Sequence, residues 1–315
     1  MKTICYVFTL AAFLAATQTN SIGDDKFEVI KSEKSVEVKL NGKPFTTYQT
    51  KYGAKPILWP IVGPTGVEMT RSYPQVKEGK PDERKDHVHH RSFWFTHGDV
   101  NGISFWHEND NHGTTVHREF LKVSGGSKAV ISTANDWVGP KGKKHCEDVR
   151  TYTFWNGEDK RYVDADITMK ASYGDVVFGD TKEGSFGVRT RGSMKVDAKQ
   201  GGKIVSSEGK NDADAWGKPA AWVDYFGPVD GKTLGIAILN HPSSYGFPSH
   251  WHVRNYGLFA ANPFGLKAFK TGKDGKLVLK KGDSFTLRYR VIFHTGDQES
   301  ADIKGEFDKY KKTEF

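Results

Sequence analysis

Cysteine is nearly missing: the 315 residues contain two. Cys5 falls inside an N-terminal apolar run, so Cys146 stands alone downstream and no intramolecular disulfide can form there. Stability must therefore come from a packed core, and the lone thiol beside His145 reads as a buried or idle side chain before it reads as a metal ligand. Long hydrophobic runs are equally scarce. Beyond Ile4 to Ala16 nothing is apolar for long enough to cross a bilayer, so no membrane span is expected after that run. There is no Gly-x-Ser-x-Gly elbow, no Walker-type phosphate loop and no His-Glu-x-x-His helix, which sets aside serine-hydrolase, nucleotide and zincin readings. The formal net charge is +8, yet the basic blocks (Lys141 to Lys144, Lys309 to Lys312) are short and no nucleic-acid motif accompanies them, so no nucleic-acid partner is expected.

What is present begins with a leader. Met1-Lys2 supplies a positive end, Ile4 to Ala16 an apolar stretch, and small residues follow to Ser21, the pattern of a secretory signal peptide over residues 1–21. Cys5 lies within the run and not after it, which argues against a lipid-attached cysteine. The expected mature product is an exported protein, periplasmic or extracellular. With 37% hydrophobic and 13% aromatic residues it can bury a substantial core. No repeat, low-complexity linker or composition shift divides residues 22–315, so one domain is expected.

The local pattern is that of strands. Phe27 to Ile30 and Ser35-Val36-Glu37-Val38-Lys39-Leu40 alternate and run into Asn41-Gly42, a hairpin signal. Ala129 to Thr133, Val149 to Trp155, Tyr162 to Met169 and Leu234 to Leu239 are further candidates. The clearest is the run in which Phe285, Leu287, Tyr289, Val291 and Phe293 alternate with polar or smaller residues. Helical spacing is confined to the tail, where Ile303, Phe307 and Tyr310 recur between Gln298 and Lys312. The fold class expected is all-β, a large two-sheet β-sandwich with a C-terminal helix.

Chemistry concentrates in the histidines. Seven of the twelve lie between Asp86 and His117, opening with Asp86-His87-Val88-His89-His90-Arg91, and three more are His241, His250 and His252. Imidazole titrates near neutrality and is a common metal ligand. Read as a strand, the first stretch puts His87, His89, Arg91, Phe93, Phe95 and His97 on one face. Such a face could hold zinc, copper or calcium through His87, His89 and His97, with Asp86, Asp99 and Glu108 orienting the rings. Without a metal, the same groups form acid–base pairs of a histidine near neutral pKa and a carboxylate. Trp94, Trp106, Trp216 and Trp251 are among the tryptophans that could stack under a sugar, although a core role is commoner for each. Arg71 could hold an anion or merely be solvated. The stretch Tyr256 to Gly265 suits a packing corner, with Asn262 the exception.

Several motifs carry a resemblance. Lys55-Pro56-Ile57-Leu58-Trp59-Pro60, Thr70-Arg71, the Asp86 to Phe95 run, His97-Gly98-Asp99-Val100-Asn101-Gly102 and Trp251-His252-Val253-Arg254 through Asn262-Pro263-Phe264-Gly265 together resemble a family of secreted bacterial proteins commonly labelled "methane oxygenase PmoA". Ser92 stands where that family usually has glycine after His-His-Arg. A membrane methane oxygenase needs several bilayer-spanning helices, which this sequence lacks. The resemblance implies instead a galactose-mutarotase-like β-supersandwich, whose concave sheet holds a sugar.

The expected function is that of an exported carbohydrate-active enzyme with a sugar or oligosaccharide ligand. His89, His90, His97, Glu108 and His252 are the candidate acid–base groups. Arg71, Arg91, Trp94, Asp99, Asn101, Trp106, His241, Arg254 and Asn262 are the candidate substrate contacts. No close carboxylate pair of the glycosidase kind is evident, which tilts the choice among lyase, epimerase and hydrolase toward the first two. The alternatives are a histidine-rich metal protein and a glycan-binding module without catalysis.

Overall fold

The computed structural model describes residues 25–315. The expected signal peptide, residues 1–21, lies outside the described residues. The strands in chain order are β1 (Phe27–Lys31), β2 (Ser35–Leu40), β3 (Lys43–Tyr52), β4 (Lys55–Ile61), β5 (Phe93–His97), β6 (Thr114–Ser124), β7 (Ala129–Val138), β8 (Lys144–Asn156) and β9 (Lys160–Lys170). They continue as β10 (Val176–Phe178), β11 (Gly184–Arg189), β12 (Lys203–Ser206), β13 (Trp222–Val229), β14 (Lys232–Asn240), β15 (His250–Val253), β16 (Leu258–Asn262), β17 (Leu277–Leu279) and β18 (Ser284–Thr295). One helix, α1 (Ile303–Tyr310), follows.

Two eight-stranded antiparallel sheets pack face to face. The first runs β1-β2-β3-β4-β5-β11-β16-β15 and the second β12-β13-β14-β18-β9-β8-β7-β6, while β10 and β17 pair separately. This is the two-sheet sandwich expected. The Asn41-Gly42 hairpin forms with both residues at positive φ, 52° and 75°, as a tight turn between twisted strands requires. Alternation in β18 sends Leu287, Tyr289, Val291 and Phe293 into the core, where Tyr289 stacks on Phe186 of the facing sheet at 4.5 Å. At about 25 cal/mol per Å² of apolar surface removed from water, this shared core is the main source of stability. Helix α1 is shorter than the spacing suggested. Asp302 caps it by accepting from the Gly305 amide, and Ile303 and Tyr310 bury on the outer side of the second sheet beside Ile292 and Leu239. No helix among the described residues is long and apolar enough to cross a membrane.

The first sheet is covered on its outer side as well. Phe93 and Phe95 of β5 enter the main core, so Trp94 must point outward. There it joins Ile57, Trp106, Leu258 and Ala260 in a second apolar layer. Trp94 lies across β11 because its register partner there is Gly187, where a Cβ would fall 2.7 Å from the indole. The loops that cover this layer carry the histidines.

Candidate functional site

The Asp86–Arg91 stretch is a loop, not the strand expected of it. The chain turns at residues 87–90, where the His90 amide donates to the His87 carbonyl at 2.9 Å, and His87 itself has φ 43°. Ser92 also takes a left-handed φ, 58°, the conformation in which a glycine would be unstrained. Two buried arginines hold the loop. Arg71 donates to the carbonyls of Arg84, Asp86, His87 and His90 and to the Asp86 carboxylate at 2.8 Å. Arg189, on β11, donates to Asp86 at 2.9 Å and to His90 Nδ1 at 3.1 Å. Arg71 is therefore a buried loop anchor whose two terminal guanidinium nitrogens are committed, a correction to its expected ligand role.

Folding the loop back stacks four rings in parallel. Tyr256 lies on His87 (5.3 Å), His87 on His90 (4.8 Å) and His90 on Trp94 (5.5 Å), all within 12° of parallel. Trp106 meets His90 edge-on. Trp94 and Trp106 are 1% and 0% exposed, so they form the floor of the site and no sugar can stack on them. Above them opens a polar cleft of about 170 Å³, lined by His87, His89, His90, His107 and His252 together with Lys182, Glu183, Arg254 and Tyr256.

Two ring nitrogens here are buried without a hydrogen-bond partner, His90 Nε2 and His252 Nδ1. Because Arg189 donates to His90 Nδ1, the His90 proton resides on Nε2, making it an unused donor. His252 Nδ1 presents an unused lone pair when the ring proton is on Nε2. That Nδ1 lies 4.0 Å from the Glu183 carboxylate, which pairs with neighbouring Lys182. His89, His90 and His252 do not titrate near neutrality as expected of them. Burial holds His89 at about 3, helped by the Lys55 ammonium, and holds His252 at about 4 although Glu183 pulls it upward. Burial and Arg189 hold His90 well below its usual value, and burial lowers His107. His89, His90 and His252 thus offer uncharged imidazoles at neutral pH, flanked by Lys182, Arg254 and the Glu183 carboxylate.

Other expected site residues lie elsewhere or are already engaged. Glu108 pairs with Lys55 at 2.9 Å and with Arg91, which also lies over Tyr52. Burial alone would raise the Glu108 carboxyl, but hydrogen bonds and charge from Arg91 and Lys55 bring it down to about 2, too low for a proton donor. Glu108 and Arg91 anchor each other and do not serve as acid and ligand contact. His97 shares the inward parity of Phe93 and Phe95, so it packs on Phe264, with Nε2 2.9 Å from the Gly179 carbonyl. It does not converge with His87 and His89. Among the described residues no group of three or more His, Cys, Asp or Glu is arranged to hold a metal ion. The His87, His89, His97 ligand set is therefore not assembled.

Asp99 and Asn101 shape a turn: Asp99 accepts from the Gly102 amide, and Asn101 accepts from Val177 and meets His145. His241 sits against Tyr310 and Phe315 near the C-terminal helix, with Nδ1 on Ser243. Asn262 accepts from the Phe264 amide and donates to the Thr181 carbonyl at 2.8 Å, bracing the Lys182–Glu183 segment from below. Of the expected residues, His87, His89, His90, His252 and Arg254 come together. His107, Lys182, Glu183 and Tyr256 are additions. His107 was visible in its histidine-aromatic run, and Tyr256 was read as a packing residue. Lys182 and Glu183 belong to an ordinary charged loop with no motif to mark it.

Residues 35–308 match the model of a family described as a family of unknown function, DUF6807. No curated protein matches the chain. Solved structures similar to it include a galactose mutarotase-like protein from Lactobacillus casei ATCC 334, at 10% identity and TM-score 0.36, covering 85% of this chain and 100% of that one. Another is a polysaccharide lyase at 13% identity and TM-score 0.34, covering 88% of this chain and 34% of the lyase. Likenesses this remote transfer no activity. None of these findings supports the methane oxygenase label.

Proposed function

For a chain that belongs to the DUF6807 family, described as a family of unknown function, we propose acid–base chemistry on a sugar, begun by abstraction of a proton from a ring carbon. One observation carries this reading: His252, whose Nδ1 has no hydrogen-bond partner, and His90, whose Nε2 donor is unused, line the same small polar cleft. His252 takes the proton from carbon. The electron pair moves onto an adjacent carbonyl or carboxylate oxygen, which His90 Nε2–H and the Arg254 guanidinium hold as an oxyanion. Return of a proton from solvent to the opposite face, with His252 releasing its own to solvent, gives epimerisation, and expulsion of a β-linked oxygen, protonated by solvent, gives elimination. Both share the first step. Hydrolysis by two carboxylates is less well supported, because Glu183 is the one carboxylate lining the cleft.

The low pKa of His252 keeps it unprotonated, at the expense of basicity. An anionic ligand entering beside it raises that pKa toward neutrality and strengthens the base. The leader pattern of residues 1–21 supports export of the enzyme toward extracellular or periplasmic glycans.

The test is exchange of carbon-bound hydrogen in D2O, followed by NMR and mass spectrometry over a panel of neutral sugars and sugar acids. Epimerisation registers as deuterium at the abstracted position, and elimination as loss of that ring hydrogen with formation of a carbon–carbon double bond. The full-length protein is expected to give one of these two products, and His252→Gln to abolish it while the fold persists by circular dichroism. Turnover that survives His252→Gln, or neither product with any member of the panel, would overturn the proposal.

A further inference from the structure

A second cavity, of about 250 Å³, opens beside the histidine cleft and shares Arg254 and Tyr256 with it. Ligand clefts generally begin at about 300 Å³. Neither space reaches that size alone, and side by side they exceed it. The second cavity is also chemically prepared. Its lining residues Trp216, Asn255 and Asp197 each carry a buried atom without a hydrogen-bond partner, Nε1, Oδ1 and Oδ1 respectively, one donor and two acceptors. Leaving such groups unpaired is unfavourable, so this wall suits a partner carrying hydroxyls. The Asp197 charge is already balanced by Arg84 at 2.7 Å, so the carboxylate does not repel an anion placed nearby.

Arg254 stands at the junction. Its guanidinium lies 5.7 Å from the ring centres of both Trp216 and Tyr256. The other arginines around the cleft are committed, Arg71 and Arg189 to Asp86 and Arg91 to Glu108, and Lys182 pairs with Glu183. Arg254 has no carboxylate within ion-pair distance among the described residues. An exposed planar fork without a counter-charge, beside two aromatic rings, matches a carboxylate in two-point contact.

We infer that the ligand is an acidic oligosaccharide of at least two sugar units, one in the histidine cleft and its neighbour against Trp216, with a carboxylate at their junction held by Arg254. This rests on the reading of the histidine cleft as a sugar site. It adds length and charge to that ligand.

The test is calorimetric titration of the full-length protein with galacturonate, glucuronate and mannuronate as monomers, dimers and trimers, each beside its carboxyl-reduced counterpart. In at least one series the dimer is expected to bind about tenfold or more tighter than the monomer. Trp216→Ala and Asn255→Ala should reduce the dimer to monomer affinity and leave the monomer unchanged. Arg254→Gln should weaken acidic ligands and spare the reduced ones. Trp216→Phe, which keeps an aromatic ring while losing the N–H and part of the indole, gives an intermediate loss and guards against misfolding of the alanine variant. Equal affinity of monomer and dimer, equal affinity of acidic and reduced forms, or no binding by any ligand overturns the inference. If monomer and dimer bind alike while His252→Gln still abolishes exchange or elimination, the two-unit inference falls and the acid–base reading stands. A dimer preference without exchange or elimination has the reverse meaning.

Discussion

Acid should destabilise this protein through its buried neutral imidazoles, and His97 isolates the effect. The residue is 1% exposed, with Nε2 2.9 Å from the Gly179 carbonyl and Nδ1 3.3 Å from the Ser185 hydroxyl. Burial holds its pKa down at about 4, although the Gly179 carbonyl and Asp99 pull the other way. In the unfolded chain the ring protonates at about 6.5. Below that value the unfolded state binds more protons than the folded state, so stability falls with pH until the folded pKa is passed. At about pH 5 the gap is roughly 1.5 units, or about 2 kcal/mol for this one ring. His97→Gln leaves an amide able to donate to Gly179 and accept from Ser185, and it cannot titrate. Urea unfolding of both proteins near pH 7 and near pH 5 gives the comparison. The variant is expected to be less stable near pH 7, because its fit is poorer. The wild type should nevertheless lose about 2 kcal/mol more than the variant on acidification. Other titrating groups cancel in that difference. Identical pH dependence in the two proteins would refute the account of a ring buried in its neutral form.

Glu108→Gln should lower stability by about 3–5 kcal/mol, since it strips the counter-charge from buried Lys55 and from Arg91, and an unmoved urea midpoint would show that water solvates the pair. Arg189→Met removes donors to His90 Nδ1 and Asp86 and should cost about 1–3 kcal/mol. Nitrogen NMR should then show the His90 proton no longer restricted to Nε2, and an unchanged tautomer would contradict the assignment. Asn262→Ala leaves the Thr181 carbonyl and the Phe264 amide unpaired, so amide exchange across residues 179–185 should accelerate; exchange at the wild-type rate would mean the loop is held by other contacts.

Much of the scaffold was legible locally. The two positive-φ residues at Asn41-Gly42, the inward face of β18 and the terminal helical spacing all encode their structure in a few adjacent residues, because side-chain direction in a strand has period two. That histidines of the 86–107 region and those near residue 252 belong to one site was also readable from composition. Their individual roles were not. Ten histidines in two stretches look alike in sequence, yet His87 and His90 reach the cleft, His97 the core and His241 the flank of α1.

The sequence by itself determined an all-β chain able to build a core without disulfides, and a concentration of imidazole chemistry. Only the tertiary structure decided which groups could act. The turn at His87 and the left-handed Ser92 broke the strand parity on which the metal set depended. Buried Arg71 and Arg189, distant in sequence, fixed the loop and the His90 tautomer. Lys182 and Glu183 entered because β11 follows them and lies next to β5 and β16 in the sheet. Period and turn chemistry are set by neighbours along the chain, whereas burial, proton position and charge compensation are set by neighbours in space.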